Sequence, residues 1–348
     1  MRKTLAGAMV LVLFATGSWI SPAFADTFTF TTIDYPLLGV TATAAEGISG
    51  NNIVGYYDTV DTVHGFLYNG STYTTIDAPL GVHGTVAIGI SGNNIVGLYV
   101  NQSGSVKGFH YNGSTYATLD DSLGVNGTWA YGISGDNIVG TYFDASNNPH
   151  GFLYNGSIYT TLDNPLGVNG TYTTGISGNN IVGTYTDASS NEHGFLYNGS
   201  TYTTLDEPLG VGVHGTGANG IFGSDIVGSY TDASGMGHGF LYNGSTYTTI
   251  DAPLGVHGTV AIGIDGSNIV GTYGDASNIP HGFLATPTPE PSTLTILGVG
   301  ALGLVGYGLR RRCQKRTAVS LTEATPAEET PAILSFPARS FDATRRAA

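Results

Sequence analysis

The side chains best suited to chemistry are aspartates that recur at the ends of predicted strands. One set ends the second strand of successive repeats, with Asn101 in the remaining repeat, and consists of Asp58, Asp144, Asp187, Asp232 and Asp275. A second set ends the fourth strand and consists of Asp34, Asp77, Asp120, Asp163, Asp206 and Asp251. Asp61 lies close behind Asp58 and forms a pair with it. A ring of carboxylate oxygens could bind Ca²⁺ or the hydroxyl groups of a sugar.

These aspartates also have a structural interpretation. Asp stabilises a turn when its side chain bonds to the backbone two residues further on, and repetition in every unit favours this role. No Asp-x-Asp-x-Asp-Gly calcium loop is present in the sequence. We therefore expect no cofactor, and Ca²⁺ is kept as the alternative.

Histidine recurs in a His-Gly-Phe step, and Lys107 replaces it in one repeat. The five histidines are His64, His150, His193, His238 and His281. Metal ligands must converge on one point, whereas these residues are a whole repeat apart, so we expect each to make a structural hydrogen bond. Trp129 stands where other repeats have Val86 or Val260, beside a variable loop. It is therefore a candidate ligand-binding residue, together with Asp61 and the aspartates that end the second strand.

Motifs for covalent catalysis are missing from the sequence. There is no Gly-x-Ser-x-Gly, the lone Cys313 lies in a basic segment, and no arginine lies between residues 26 and 285. A sialidase-like site would need arginines to bind the carboxylate of its substrate. We therefore expect a protein that is not an enzyme. Paired carboxylates are numerous, and they leave glycoside chemistry on the acidic face as an alternative.

The chain between residues 26 and 285 is a repeat. The His-Gly-Phe steps, with Lys107 counted, follow one another at spacings of 43 or 45 residues. Each unit contains four short apolar segments, here called strands a to d, and four-stranded units of this length are typical of propeller blades. The sequence predicts an all-β, six-bladed β-propeller built from ~43-residue four-stranded repeats.

The two ends of the repeat region complement each other. Residues 26–34 match strand d of later repeats, whereas the last repeat stops within strand c at residues 281–285. We expect the N-terminal strand to complete the last blade, because closure of the ring removes an exposed strand edge.

Turns and loops are distributed unequally between the two faces of such a propeller. The a–b turns and c–d turns define one face, here the turn face, and they are uniform. The c–d turns contain Asn-Gly, which predicts tight hairpins because both turn positions need positive φ. The b–c and d–a loops define the opposite loop face, and only there does the length change, at Val211-Gly212-Val213-His214. Binding is expected on this face.

The repeats resemble the extracellular HAF repeat family, named for a His-Ala-Phe step. Here the step is His-Gly-Phe followed by Leu-Tyr, and the upstream Gly-Ile-Ser-Gly and Ile-Val-Gly also match. The resemblance covers nearly all of residues 28–285. It implies a surface location and brings no established catalytic residues.

Charge limits the partners of the repeat region. Residues 26–285 contain 20 acidic residues and one basic residue, Lys107, which gives a formal charge of −19. This charge repels nucleic acid and attracts cations, so no nucleic-acid partner is expected.

The N-terminus has the three parts of a secretory signal. Arg2-Lys3 is followed by an apolar run, and Ala23-Phe24-Ala25 forms a small-x-small cleavage site. We predict a signal peptide over residues 1–25 and a mature chain that begins at Asp26.

The C-terminal part is predicted to hold a membrane anchor. A proline-rich linker over residues 286–292 contains Pro289-Glu290-Pro291, and residues 293–309 are long and apolar enough for a transmembrane helix. A basic flank, 310–316, follows and contains Arg310, Arg311 and Arg312, which should remain cytoplasmic. Residues 317–348 have the composition of a disordered tail.

This order of Pro-Glu-Pro, apolar helix and arginine cluster resembles the PEP-CTERM sorting signal of Gram-negative bacteria. In that family an exosortase cuts the signal, and the products are linked to exopolysaccharide and biofilm. Here the chain continues past the arginine cluster, where the family usually ends. The resemblance implies an exported protein that is held in the inner membrane and then sorted to the cell surface or released.

Together these features predict an exported, surface-sorted, non-catalytic propeller that binds or organises extracellular polysaccharide. Two alternatives remain open. One is a glycan-active enzyme that uses the acidic loop face, and the other is a calcium-dependent adhesion module.

Overall fold

The structure is a computed structural model that describes residues 28–288 and Tyr307. The predicted signal peptide, Pro289-Glu290-Pro291, the span 293–309, the basic flank 310–316 and the tail 317–348 lie outside these residues. Within the described part of the chain, no helix is both long and apolar enough to cross a membrane.

The described residues form 24 strands, and the first of them, β1, spans Phe28–Ile33. Blade 1 consists of β2 (Ala42–Ser49), β3 (Asn52–Asp58), β4 (Val63–Tyr68) and β5 (Tyr73–Ile76). Blade 2 consists of β6 (Thr85–Ser91), β7 (Asn94–Val100), β8 (Val106–Tyr111) and β9 (Tyr116–Leu119). Blade 3 consists of β10 (Thr128–Ser134), β11 (Asn137–Phe143), β12 (Pro149–Tyr154) and β13 (Tyr159–Thr161).

The second half of the ring repeats this order. Blade 4 consists of β14 (Thr171–Ser177), β15 (Asn180–Thr186), β16 (Glu192–Tyr197) and β17 (Tyr202–Leu205). Blade 5 consists of β18 (Thr216–Phe222), β19 (Asp225–Thr231), β20 (Gly237–Tyr242) and β21 (Tyr247–Ile250). Blade 6 contains β22 (Thr259–Asp265), β23 (Asn268–Gly274), β24 (Pro280–Pro287) and the N-terminal strand β1.

The described residues thus build a six-bladed propeller of antiparallel four-stranded sheets, as predicted. The N-terminal strand closes the ring, because β1 pairs with β24 from Phe28↔Pro287 to Ile33↔Gly282. This pairing places the first and last described strands side by side, so β24 has no free edge. The first residues of the predicted linker, up to Pro287, belong to β24.

One phenylalanine fills the centre of each blade. These residues come from the His-Gly-Phe or Lys-Gly-Phe step, are at most 1 % exposed, and are Phe66, Phe109, Phe152, Phe195, Phe240 and Phe283. The Ile-Val step of strand b is equally buried, as in Ile53 and Val54. Full burial of such side chains contributes about 1.5–3 kcal/mol each, so the core is repeated blade by blade.

Close packing of neighbouring blades requires glycine in strand a. A Cβ atom on Gly47 would lie 2.4 Å from the carbonyl oxygen of Ile88 in the next blade. The same contact recurs around the ring, and therefore the Gly-Ile step repeats in every blade.

The Asn-Gly sequences form the predicted hairpins, but the expectation of positive φ at both turn positions is wrong. In blade 1 the Asn69 backbone N–H donates to the Thr72 carbonyl at 3.2 Å, which encloses a four-residue turn. The Asn69 Oδ1 accepts from the backbone N–H groups of Ser71 and Thr72 at 3.0 and 2.9 Å. Of these residues only Gly70 has positive φ. The asparagine side chain closes the turn, so positive φ at both central positions is unnecessary.

Candidate functional site

The inner strand of every blade contains a β-bulge at the same position. In β2 the pairing with β3 passes from Ala45↔Gly55 to Gly47↔Val54, which leaves Glu46 as the extra residue. The other five inner strands shift register at the equivalent point. Bulges commonly re-aim a side chain beside a functional site. Here the six bulge residues line the central channel, and they are Glu46, Ile88, Tyr131, Thr174, Asn219 and Ile262.

This channel ring, defined by those six residues, varies strongly from blade to blade. The glycine and isoleucine that follow each member are constant from blade to blade, while the ring contains an acid, an amide, a hydroxyl, a phenol and two isoleucines. The backbone around the channel axis is therefore regular, whereas the side chains of the channel ring differ in chemistry from blade to blade.

Two members of the channel ring hold neighbouring blades together. The Thr174 hydroxyl donates to the Ala218 carbonyl at 2.8 Å, and the Asn219 amide donates to the Ala261 carbonyl at 2.9 Å. Each residue thus bonds to the backbone of the next blade through at least one donor. Ile88 and Ile262 flank Glu46 on either side along the ring and offer no polar group.

Glu46 is a carboxylate in an environment with little water. It retains some exposure inside the channel, but burial raises the pKa of its carboxyl from 4.5 to about 7. Among residues 28–288, no group donates a hydrogen bond to it or forms an ion pair with it. Burial also raises the pKa of the Tyr131 phenol, with smaller contributions from the charges of Tyr172 and Glu46. Glu46 and Tyr131 are thus the titratable groups of the channel ring.

The channel has a volume of about 270 Å³. Below the ring, toward the turn face, six isoleucines narrow it: Ile48, Ile90, Ile133, Ile176, Ile221 and Ile264. The channel therefore combines an apolar level with a level of mixed polarity that contains a single carboxylate.

A second cavity of about 350 Å³ opens between blades 4 and 5, and we call it the cleft. It exists because Gly217 is paired with Ser229, so both side chains are small. Each of the other five equivalent pairs in the described blades includes a larger side chain, such as Tyr56 opposite Ala44. The result is a wedge-shaped gap at one blade junction.

The two-residue loop extension forms the outer wall of the cleft. The backbone N–H of Glu192 in blade 4 donates to the Val213 carbonyl at 3.2 Å. The His214 Nδ1 lies 3.3 Å from Glu192 Oε2. In blades 3 and 4 the equivalent loops bend back onto their own blade instead, since Asn126 and Asn169 each bond to a carbonyl of their own b–c loop. The extension therefore reaches across the junction.

The cleft and the channel adjoin. Tyr131, Thr174 and Asn219 line both cavities. A ligand in the cleft would therefore lie beside the channel ring, with Glu46 farther along the same ring.

Aromatic side chains lead from blade 3 toward the cleft. The Trp129 ring lies 4.8 Å from Phe143 and 6.2 Å from Tyr131, and Phe143 lies 6.4 Å from Tyr172. Tyr131 and Tyr172 line the cleft itself. The Trp129 Nε1 is buried and has no acceptor among the described residues. Trp129 thus lies next to the site, behind the two tyrosines.

The predicted aspartate set at the end of strand b divides into two groups. Asp144, Asp187, Asp232 and Asp275 occupy one equivalent position, and each Oδ1 accepts backbone N–H groups two and four residues later at 2.8–2.9 Å. Hydrogen bonds from Ser234 and Met236 lower the pKa of Asp232 to about 2. The geometry matches the structural role, with the carboxylates committed to their own loops.

Asp58 is not equivalent to these four residues. It lies one position earlier, opposite Ala42, and Thr59 takes the turn-forming role through the backbone N–H of Thr62 at 3.1 Å. Burial raises the pKa of the Asp58 carboxyl. Asp61 is exposed in the same loop. The sequence alignment placed Asp58 one residue out of register because both Asp58 and Asp144 follow the Tyr-rich end of strand b.

The histidines make the hydrogen bonds that were expected. In five blades the Nδ1 atom donates to the aspartate at the end of strand d at 2.8–3.0 Å, as in His150 with Asp163. Lys107 bonds to Asp120 in the same way at 2.6–2.7 Å. Within residues 28–288, no group of three or more His, Cys, Asp or Glu side chains is arranged to hold a metal ion.

The channel ring and the cleft were not predicted from the sequence. The loop extension was noticed, but its contact with Glu192 requires the neighbouring blade. An alignment of the six inner strands would have shown two highly variable positions before each constant Gly-Ile step, the bulge position and the position of Trp129 and Gly217. That signal was available and points directly at the ring.

Comparison with known proteins identifies the C-terminal segment. Residues 287–312 match the family model of the PEP-CTERM protein-sorting motif, which confirms the resemblance seen in the sequence. A motif of this kind implies export and membrane anchoring, and exosortases process it. No curated protein matches the chain.

Several solved structures share the fold. The fucose-recognising lectin of Aleuria aurantia has 14 % identity and a TM-score of 0.48, with 74 % of this chain and 98 % of the lectin covered. SapL1 lectin in complex with alpha methyl fucoside has 16 % identity and a TM-score of 0.49, with 74 % and 99 % covered. Trypanosoma rangeli sialidase has 8 % identity and a TM-score of 0.48, with 76 % and 58 % covered. At these identities the similarity concerns the fold alone.

Proposed function

We propose that this protein is an exported, surface-sorted, non-catalytic binding protein whose ligand is an extracellular polysaccharide. The observation that carries the proposal is the cleft between blades 4 and 5, where the six-fold repeat is broken in both loop length and side-chain volume. Its walls combine tyrosine rings with a few hydroxyl, amide and carboxylate groups. This combination suits saccharides, because ligand sites pair apolar contact area with a small number of oriented polar groups.

Two tyrosines and several polar groups provide the contacts. Tyr131 and Tyr172 offer ring faces for the C–H surfaces of sugar rings. Asn219 and Ser229 offer hydrogen-bonding groups from blade 5, and Thr184 offers a hydroxyl beside Tyr172 in blade 4. The pair of Glu192 and His214 lies at the solvent edge and orients ring hydroxyls there.

The test is a glycan array screened with the full chain, followed by titration of the best oligosaccharide. The Gly217→Val variant fills the cleft with the side chain that blade 2 carries at the equivalent Val86. Its new Cβ would meet the Thr184 Oγ1 at 3.1 Å, so the Thr184 side chain must shift by a few tenths of an ångström. We expect affinity to fall at least about tenfold while the melting temperature stays close to that of the parent.

The matched control is Val86→Ala, at the equivalent position in blade 2, which should leave binding unchanged. Equal losses in both variants would remove the cleft as the binding site. We propose that binding requires no metal, so a chelator should have no effect, and chelator-sensitive binding would favour the calcium-dependent adhesion module. Shortening of the bound oligosaccharide would favour the glycan-active enzyme.

Sorting is the second part of the proposal. We propose that an exosortase cuts the chain near Pro289-Glu290-Pro291 after residues 293–309 cross the inner membrane with Arg310, Arg311 and Arg312 inside. Replacing the Pro-Glu-Pro motif by alanines should leave an uncut membrane-bound form on an immunoblot. A reporter fused after Ala348 should be active only in the cytoplasm. Periplasmic activity, or normal cutting of the alanine variant, would contradict this topology.

A further inference from the structure

We infer that the polysaccharide bound in the cleft carries free primary amines, and that Glu46 in the adjoining channel ring binds one ammonium group. The inference rests on the proposed saccharide-binding function and specifies its ligand class. It is drawn from the channel, whose one carboxylate differs from all other acidic groups of the described blades in its surroundings.

Glu46 has no counter-ion among residues 28–288. Lys107 is the only Lys or Arg between residues 26 and 285, and its ammonium is already bonded to Asp120 at 2.6–2.7 Å. A carboxylate that is removed from water without a partner costs free energy. A cation supplied by the ligand would recover that cost, because it would provide the charge that the protein lacks.

Neighbouring polar groups do not satisfy Glu46 either. The donors of Thr174 and Asn219 are directed to the Ala218 and Ala261 carbonyls. Ile88 and Ile262 flank Glu46 along the ring. The described part of the ring therefore holds one anionic acceptor whose hydrogen-bond donor must come from outside.

The surroundings favour an ammonium over a metal ion. Ca²⁺ takes six to eight oxygen ligands, whereas the described residues contain no cluster of three ligating side chains. An ammonium needs only one anionic partner, and its three N–H donors can be shared with the carboxylate, the Tyr131 phenol and water. The Tyr131 ring adds a face for a cation–π contact.

The link to a saccharide comes from the continuity of the two cavities. Tyr131, Thr174 and Asn219 belong to both, so a sugar that stacks in the cleft can present a substituent to the ring. A channel of about 270 Å³ admits a single sugar unit or its amine substituent, and a polymer would extend outward through the cleft of about 350 Å³. The charge of −19 over residues 26–285 further attracts a polycation.

The experiment compares two oligosaccharides of equal length by calorimetry with the full chain near neutral pH. One is a glucosamine oligomer with free amines, and the other is the corresponding N-acetylglucosamine oligomer. We expect the amine form to bind at least about tenfold more tightly, since a desolvated charge pair commonly contributes this much. The Glu46→Gln variant should lose this preference.

The control is Asp136→Asn, which removes the same charge from an exposed position in an a–b turn on the turn face. It should keep the preference for the amine form. A preference that survives in Glu46→Gln, or that falls equally in both variants, would overturn the inference and indicate general charge attraction. Binding of both oligomers with equal affinity would also overturn it while leaving the proposed saccharide function intact. If the glycan array and both oligomers give no binding, the proposed function itself fails.

Discussion

The rim of the propeller is defined here by the five histidine–aspartate pairs and the Lys107–Asp120 pair. The rim and the lining of the channel are built on one six-fold backbone, but their side chains repeat to very different degrees. At the rim, five blades carry a histidine–aspartate hydrogen bond of 2.8–3.0 Å, and the sixth carries the Lys107–Asp120 pair. Along the axis, six equivalent bulge positions hold five different residue types. The same backbone geometry thus supports a repeated structural contact outside and a variable surface inside.

The difference shows which positions the fold itself constrains. A rim histidine contacts an aspartate of its own blade and stacks on a tyrosine, as His193 does on Tyr185 at 5.1 Å. These contacts are local, and five of the six blades contain them. A bulge residue lines the channel, and only Thr174 and Asn219 bond to the backbone of the next blade. Variation at a position with constant backbone is therefore a better guide to function here than recurrence.

The junction between blades 4 and 5 extends this contrast to the loop face. Gly217 and Ser229 leave space that other junctions fill, and the extended loop brings His214 to Glu192. The junction between blades 4 and 5 is thus less tightly packed than the other junctions and has polar side chains at its outer edge.

The largest effect should come from breaking the ring that both regions share. Deletion of residues 28–34 removes β1 together with its buried Ile33, which is 3 % exposed, and exposes the edge of β24. We expect a loss on the order of 5 kcal/mol in the free energy of unfolding, measured in urea. Cleft binding should be lost as well, although blades 4 and 5 are untouched.

The matched control for this deletion is Ile33→Val, which keeps β1 and should cost about 1 kcal/mol. Unchanged stability of the deletion variant would mean that the blades do not depend on closure.

The next effect concerns the channel ring. Because the pKa of Glu46 is raised from 4.5 to about 7 by burial, the folded state binds a proton more tightly than the unfolded state. The contribution of Glu46 to stability is then largest below pH 4.5 and falls as the pH rises through the window up to about 7. The Glu46→Gln variant should escape this loss and exceed the parent by about 2–3 kcal/mol at pH 8.

Urea unfolding at a series of pH values measures the effect. At pH 4 the two proteins should have nearly equal stability, because Glu46 is protonated in both states of the parent. A constant difference at all pH values would assign the gain to packing instead of ionisation.

A smaller effect is expected at the rim. The His193→Ala variant loses the hydrogen bond to Asp206 and the stacking on Tyr185, and should cost about 1–2 kcal/mol. The same substitution at His238 should cost a similar amount, since the contacts are equivalent. Thermal unfolding checks both variants. Glycan binding that changes in either one would contradict the division between rim and axis.

The smallest effect is expected from Ca²⁺. The Asp144 carboxylate is already bonded to the backbone of Ser146 and Asn148, so the cation should act only by screening the repulsion between acidic groups. A slight rise in melting temperature should be matched by Mg²⁺ or by NaCl at equal ionic strength. A rise in melting temperature that is specific to Ca²⁺ and is lost in Asp58→Asn or Asp144→Asn would favour the calcium-dependent adhesion module.

Much of the architecture was predictable because its signals are local. The Ile-Val and Gly-Phe steps recur at a constant period, and each marks a strand buried on both faces. Residues 28–33 match strand d of later repeats, which predicted the closure that the β1–β24 pairing confirms. The recurrence of histidine with aspartate predicted a hydrogen bond within each blade, and the structure contains it in five blades.

Some local details were predicted wrongly. The Asn-Gly signal marked the hairpins but not the four-residue turn, because the Asn69 side chain replaces a backbone contact. Asp58 was grouped with Asp144 from its neighbours, although pairing places it opposite Ala42, one position earlier. A shift of one residue in a strand reverses the direction of a side chain. Alignment on the Asn-Ile-Val-Gly step would have shown the shift, because Asp58 follows Asn52 by six residues and Asp144 follows Asn137 by seven.

The sequence by itself determined the number of strands, their order and the closure of the ring, since these follow from patterns within about 43 residues. Only the tertiary structure decided that a bulge turns Glu46 and Tyr131 toward one axis, and that the gap beside Gly217 opens into the same channel. These residues are separated by whole blades along the chain and meet only when the ring closes. The raised pKa of Glu46 has the same origin, because burial depends on the walls that the other blades supply.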